Sequence, residues 1–197
     1  MSETGFIFPL LEALRDLVKW LQTERVRGVV IGGVAASLRG RPRVTRDVDA
    51  MVVLDREAWE KFLAAGARFG FVPRRSDALA FANETRVLLI HHKTSGIDVD
   101  ISFVSLAFEE EVIDRSVWID IGDVHLPLPT SEDLIILKAV AHRPRDLADI
   151  ESVLDVHPKL NLRRVRRWVR EFSTALEMPE ILDDLETILA RRRKRKR

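Results

Sequence analysis

The stretch VVIGGVAASLRGRPRVTRDVDAMVV, residues 29–53, decides the fold. It reads as an apolar strand through Val29-Val30-Ile31, a glycine pair at Gly32-Gly33, a short helical run Val34-Ala35-Ala36-Ser37-Leu38, a basic turn, and then Asp47-Val48-Asp49 opening a second apolar strand, Ala50-Met51-Val52-Val53. Residues two apart in a strand point the same way, so Asp47 and Asp49 present two carboxylates on one face. Like charges held that close are relieved by a shared proton or a bound cation, which makes the pair a metal-site candidate. The glycines let the backbone turn sharply and let a ligand approach main-chain N–H groups. The helix after them offers its N-terminal donors and dipole to a phosphate. A phosphate cradle beside a carboxylate pair predicts a metal-bound nucleotide. Each feature alone has a plainer reading, a turn for the glycines and a solvated strand end for the aspartates.

Working outward, Phe8 to Val26 reads as an amphipathic helix, with Leu10, Leu14, Leu17 and Leu21 on one stripe that Leu11 and Val18 widen. Arg41-Pro42-Arg43 ends the helical run after the glycines; Arg41, Arg43 and Arg46 either touch phosphates or solvate a loop. Asp55 is placed to cap a helix ending near Gly66. Phe69 to Pro73 and Arg86 to His91 read as strands, and a turn over Lys93 to Gly96 returns the chain as a hairpin partner, Ile97 to Val104. That returning strand carries Asp98-Val99-Asp100, a second pair at strand spacing. If it lies beside the first, carboxylates converge on one face, a costly arrangement without a divalent cation; the alternative is a solvated edge. A helix over Ala107 to Arg115 and short strands at Val117 to Ile121 and Val124 to Leu128 follow.

Thr130 and Asp133 then stand at capping-box spacing before the run Leu134 to Ala141, in which Lys138 is the one charge. Either its stem snorkels to water or its amine meets an anion. Pro144 suits the first turn of another helix, with Asp146 and Asp149 three apart along one side. Asn161 caps a segment with Leu162, Val165, Val169 and Phe172 on one face and Arg163, Arg164, Arg166, Arg167 and Arg170 on the other, and a last helix spans Pro179 to Arg191.

At 197 residues, 46% hydrophobic and 32% charged, the chain suits one globular unit with a sizeable core. The absence of cysteine excludes disulfides and thiolate metal sites. No apolar run is long enough to span a bilayer and no signal-like start is present, so no membrane is expected and the cytoplasm is the default compartment. A net charge of +1 hides an asymmetry, because Arg191 to Arg197 are all basic and leave the rest acidic. Such a tail either contacts a polyanion or solvates a disordered terminus.

Taken together and in this order, Gly32-Gly33, Ser37, Gly40, Arg43, Thr45 and Asp47-Val48-Asp49 resemble the signature of the DNA polymerase β-like nucleotidyltransferase superfamily. The spacing is most similar to the AbiEii-type nucleotidyltransferases that serve as toxins of bacterial toxin–antitoxin pairs. Lys138, Arg143, Asp146 and Asp149 resemble that family's downstream motif, so the resemblance covers roughly Val29 to Leu154 in three motifs. It implies an α/β fold, a mixed, partly antiparallel sheet with packed helices, followed by a helical C-terminal bundle. The expected organisation is a nucleotidyltransferase-like core over 1–128, a helical part of the same unit over 129–190, and a disordered basic tail over 191–197.

The implied activity is metal-dependent transfer of a nucleoside monophosphate from an NTP to an acceptor. Asp47, Asp49 and Asp100 would hold magnesium or manganese; Asp100 is preferred to Asp98 because Val99, Ile101 and Ser102 fit the apolar surround of the superfamily's third carboxylate. Gly32, Gly33, Ser37, Thr45, Lys138 and Arg143 would bind nucleotide, with Lys138 and Asp146 joining the catalytic set. The basic helix and tail favour RNA as acceptor, and the resemblance adds a cognate antitoxin as partner. Two rival classes are an aminoglycoside-like small-molecule nucleotidyltransferase and a non-catalytic nucleotide-binding or interaction module of the same fold.

Overall fold

The computed structural model describes residues 4–195, with side chains for residues 8–194. Its contacts group into two compact units. One takes the chain through Val34 and resumes with Val44–Pro129; the other takes Ala35–Arg43 and the chain from Thr130 onward.

The first unit holds α1 (Thr4–Thr23), β1 (Arg27–Ile31), β2 (Asp47–Val53), α3 (Trp59–Gly66), β3 (Phe71–Pro73), α4 (Ala78–Thr85), β4 (Val87–His92), β5 (Ile97–Phe103), α5 (Ala107–Asp114), β6 (Val117–Ile121) and β7 (Val124–Leu128). Five strands form one sheet in the order β1-β2-β5-β4-β3, and β6 pairs with β7 in a second, smaller one. Only the central β2–β5 pair is parallel; β1–β2, β4–β5 and β3–β4 are antiparallel. This is the mixed α/β sheet expected from the sequence. Alternation sorts the faces of its central strands, except that Met51 of β2 is buried as well. Val48, Ala50 and Val52 of β2, Leu88 and Ile90 of β4, and Val99, Ile101 and Phe103 of β5 are buried. The intervening Asp49, Leu89, His91, Asp98, Asp100 and Ser102 are half-buried on the opposite face.

Between β1 and β2 runs α2 (Gly32–Arg39), whose first residue is Gly32 itself at φ +63°. The second unit adds α6 (Ser131–Ala141), α7 (Pro144–Val156), α8 (Leu162–Ala175) and α9 (Glu180–Arg195) around Leu134, Ile135, Ile136, Ile150, Val153, Val165, Val169, Ile181 and Leu185. Their starts follow the sequence. The Thr130 hydroxyl accepts from the Asp133 N–H at 3.1 Å, Pro144 occupies the first turn of α7, and Asn161 accepts from the Arg164 N–H at 3.1 Å. Among the described residues no helix is long and apolar enough to cross a membrane.

Four boundaries differ from expectation. α1 starts before Phe8 and carries Pro9, close to its start, where one backbone bond is forfeited. Asp55 heads a 3-10 turn, Arg56–Ala58, and its side chain makes no cap. The Ala-rich α4 was not anticipated; its composition suits a helix, and Arg86 ends it at φ 60°. α9 continues through Arg195, correcting the disordered tail for residues 191–195, since Arg and Lys are good helix formers and cations suit a helix C-terminus. Residues 196–197 lie outside the described residues.

The core of the first unit centres on Trp20, which is fully buried and stacks on Phe62 at 4.1 Å and Phe71 at 5.2 Å between ring centroids. A Cβ on Gly66 would stand 2.7 Å from the Trp20 ring. Gly66→Ala gains about 1 kcal/mol of helix propensity, but overpacking a ring that cannot move aside costs about 1–3 kcal/mol. We expect Gly66→Ala to lower stability in urea unfolding; an unchanged or raised midpoint would show that the aromatic stack yields.

Candidate active site

The register of the sheet assembles the acidic face. Asp47 lies directly beside Asp98, and Asp49 beside Asp100, across the parallel β2–β5 pair. Neighbouring strands lie about 4.8 Å apart, and paired residues share a face, so the two predicted acidic pairs form two adjacent rungs. Both Asp98 and Asp100 belong to this face, and the rung of Asp100 is the one shared with Asp49.

Two local contacts set the β2 carboxylates. The Thr45 hydroxyl, itself buried, donates to Asp47 Oδ1 at 3.0 Å. Gly32 packs against Asp49 so closely that an added Cβ would stand 1.8 Å from Asp49 Oδ2. The positive φ of Gly32 and this approach both require glycine. Gly33 is buried next to it in the first turn of α2. Ser37 closes the other end of that segment within the second unit, its Oγ donating to the Arg43 carbonyl and accepting from the Arg43 N–H, both at 3.1 Å.

Side-chain partners reach the β5 carboxylates from β4 and from the residue after β3. His91 Nδ1 stands 2.7 Å from Asp98 Oδ1, and Arg74 pairs with Asp98 at 3.1 Å and with Asp100. The bond from His91, reinforced against burial by Arg74, holds the Asp98 carboxyl below its ordinary value. Burial instead pushes Asp100 up; Arg74 opposes the rise, while Asp49, Asp47 and Asp98 add to it. Asp100 is therefore the more readily protonated of the two. Among the described residues no three His, Asp or Glu side chains converge as a ready-made cation site. The donor set nonetheless fits a hard divalent cation, being carboxylate oxygens on a partly exposed face with a glycine cradle under Asp49.

Sequence reasoning did not find Arg74 or His91. The hairpin turn at Lys93 to Gly96 already implied that His91 faces Asp98, so that signal was available. Arg74, one residue past Pro73, carried none.

Lys138, Arg143 and Asp146 come together in the second unit. Lys138 Nζ lies 2.7 Å from Asp146 Oδ1 and 2.9 Å from Asp149 Oδ2, and its side chain is 7% exposed. Arg43 forks onto Asp149 at 2.7 and 2.9 Å, and Arg143 donates to Asp146 from its Nε at 2.6 Å and its backbone N–H at 3.2 Å. The anion that Lys138, the one charge of the run Leu134 to Ala141, meets is thus supplied by α7. Burial alone would push both carboxyls up. The bonds and charges of Arg143 and Lys138 on Asp146, and of Arg43 and Lys138 on Asp149, outweigh it and hold both below the ordinary value.

The mixed five-stranded sheet with its packed helices matches the nucleotidyltransferase fold. Residues 10–187 match the family described as nucleotidyl transferase of unknown function (DUF2204), and the chain belongs to that family. A comparison with curated protein sequences finds no match. Among solved structures, the chain is similar to an antigenic nucleotidyltransferase-like protein from Paracoccidioides brasiliensis, with a TM-score of 0.55 and 14% identity over 89% of this chain and 92% of that one. It is also similar to the antibiotic-resistance factor ANT(2'')-Ia in solution, with a TM-score of 0.59 and 14% identity over 87% and 95% of the two chains. A crystal structure of ANT(2'')-Ia in complex with adenylyl-2''-tobramycin gives 0.56 and 13% over 85% and 98%. At these identities the likeness is one of fold.

Removing one partner of a buried charge network leaves the others uncompensated, at a cost of about 3–5 kcal/mol. Lys138→Met should lower stability near neutral pH by an amount of that order. Because the folded values of Asp146 and Asp149 are depressed, their contribution is complete above the ordinary aspartate value and is lost as pH falls through the folded values. The deficit of the variant should therefore narrow on acidification. Urea unfolding of both proteins from pH 7 to pH 3 measures it; a deficit independent of pH would place the cost in packing.

Proposed function

We propose that the chain transfers a nucleoside monophosphate from an NTP to an acceptor hydroxyl, with magnesium or manganese held by Asp47, Asp49 and Asp100. The observation that carries this reading is the register that sets Asp49 beside Asp100 on a half-open face, with Gly32 fitted against the Asp49 carboxylate. When bound, the ion supplies Lewis-acid charge at the triphosphate. Gly32 and Gly33 offer the N-terminal N–H groups of α2 to the phosphates. Thr45 keeps Asp47 oriented by the bond to its carboxylate. Asp100, on the rung shared with Asp49, accepts the proton of the acceptor hydroxyl. The hydroxyl oxygen forms a bond to the α-phosphorus, the bond to the bridging oxygen breaks, and pyrophosphate leaves.

Lys138, Arg143 and Asp146 enter nucleotide handling through the family resemblance. Their geometry supports a positioning role for the buried network they form with Asp149 and Arg43. Ser37 is likewise a loop tie, through its two bonds to Arg43.

RNA is the acceptor we favour, because Arg163, Arg167 and Arg170 recur along one exposed stripe of α8. A small-molecule acceptor is the second reading. It is supported by the internal pairing of other arginines, Arg164 with buried Asp133 at 2.7 Å and Arg166 with Glu186 at 2.5 Å, and by the tobramycin adduct held by a protein of similar fold. The toxin role and a cognate antitoxin rest on the resemblance to AbiEii-type proteins.

Asp49→Asn removes a ligand charge with almost no change of volume. With labelled NTPs, magnesium and total RNA, the parent should label RNA and the folded variant should not, and only the parent should arrest growth on expression. Equal labelling by both would remove Asp49 from the mechanism, and growth arrest by both would separate any toxicity from transfer.

If RNA is the acceptor, replacing Arg163, Arg167 and Arg170 by Gln should weaken RNA binding and flatten its salt dependence by about 0.7–0.9 in log–log slope per lost phosphate contact. NTP binding should be unaffected. An unchanged slope would move the small-molecule reading ahead, to be tested with aminoglycosides as acceptors.

A further inference from the structure

Arg74 is outside the residues that the family resemblance marks, yet it sits on the acidic face. Its backbone N–H donates to the Leu89 carbonyl at 3.0 Å, extending the β3–β4 ladder one residue beyond Pro73. Leu89 pairs with Asp100, and Asp100 with Asp49. Arg74 therefore heads the same rung of the sheet as the two carboxylates, and its side chain points to the same face. Asp100 lies two strands away, roughly 9–10 Å at the ordinary strand spacing. The long guanidinium stem passes over Leu89 and closes that span, and the fork divides between Asp98 and Asp100. A planar fork can do this; the point charge of a lysine cannot serve both carboxylates equally. The Arg74 side chain is 27% exposed, so it lies at the rim of the site.

We propose that Arg74 is a built-in counter-ion of this site: it holds Asp98 and Asp100 while no divalent cation is bound, and it must release Asp100 for the ion to gain its third carboxylate. The proposal rests on the reading of Asp47, Asp49 and Asp100 as cation ligands. Arg74 and the ion compete for one carboxylate, so the affinity of the protein for the ion is set lower than its ligands alone would give. His91 remains on Asp98 when Arg74 leaves, so that carboxylate keeps a partner while Asp100 changes hands.

The test is Mn2+ binding to the full chain without nucleotide, followed by titration calorimetry and by electron paramagnetic resonance of the free ion. Arg74→Gln should bind Mn2+ about threefold to tenfold more tightly than the parent, the range expected for losing a partly exposed, charge-assisted competitor. Its melting temperature should be lower than the parent's without the ion and rise further on adding it. Arg74→Lys, which keeps the charge and loses the fork, should fall between the two and serves if the Gln variant does not fold. Asp49→Asn separates the two levels of inference. If the parent binds Mn2+, Asp49→Asn abolishes binding and both Arg74 variants bind like the parent, the counter-ion role is overturned and the ligand assignment stands. If Asp49→Asn binds Mn2+ as the parent does, or neither the parent nor Arg74→Gln binds it, the ligand assignment falls and the proposal falls with it.

Discussion

Like-charge repulsion between neighbouring strands is the constraint on which the first unit depends. The parallel pairing of β2 with β5 places Asp47 beside Asp98 and Asp49 beside Asp100. A slip of β5 by one residue would separate these charges, but it would also turn Val99 and Ile101 out of the core and Asp98 and Asp100 into it. Burial of the apolar set thus fixes a register that the carboxylates alone would avoid. Relief has to come from side chains around the face, and the structure shows it there: the Thr45 hydroxyl on Asp47, His91 on Asp98, and Arg74 across Asp98 and Asp100.

The second unit meets a related problem in a closed environment. Asp146 and Asp149 are almost fully buried, and each is held by Lys138 and by an arginine, Arg143 or Arg43. Burial makes every one of these groups dependent on the others, since a desolvated charge without its partner is far more costly than the pair. The same residue types therefore have different uses in the two units. On the open face the carboxylates keep exposure to solvent, with the Arg74 guanidinium at the rim. In the network their oxygens are fully committed, and Arg143 and Asp146 also bring the start of α7 into shape through the bond from the Arg143 N–H.

Much of this was legible in residues 29–53 because period-two alternation is a direct consequence of strand geometry. It put Asp47 with Asp49, and Asp98 with Asp100, on a common side before any pairing was known. The isolation of Lys138 within Leu134 to Ala141 likewise left it either snorkelling to water or meeting an anion, and it meets Asp146 and Asp149. What local pattern could not supply was the identity of distant partners. Asp146 and Asp149 stood out as a motif, but nothing in their spacing said that they were the anion Lys138 meets. Asp133 read as the partner of the Thr130 cap, and its N–H does donate to the Thr130 hydroxyl, yet its carboxylate is also the buried partner of Arg164. Arg164 was grouped with the basic face because its charge dominated its position one residue before buried Val165. Arg74 needed the most information of all, namely a ladder bond beyond β3, the pairing of β4 with β5, and a side chain long enough to cross Leu89.

The crowding of carboxylates on the acidic face bears on the order of events in the proposed reaction. Asp47, Asp49, Asp98 and Asp100 bring four carboxylates to one side of the β2–β5 pair, a crowding that disfavours the approach of an anion. A free triphosphate carries several negative charges and would approach it unfavourably, whatever the N–H groups of α2 contribute. A triphosphate already complexed with a divalent ion reverses that sign at the point of contact. On the proposed reading, the ion is therefore a condition of nucleotide recognition as well as a participant in transfer. A counter-ion that leaves Asp100 only when another cation takes its place keeps the face compatible with the fold until then.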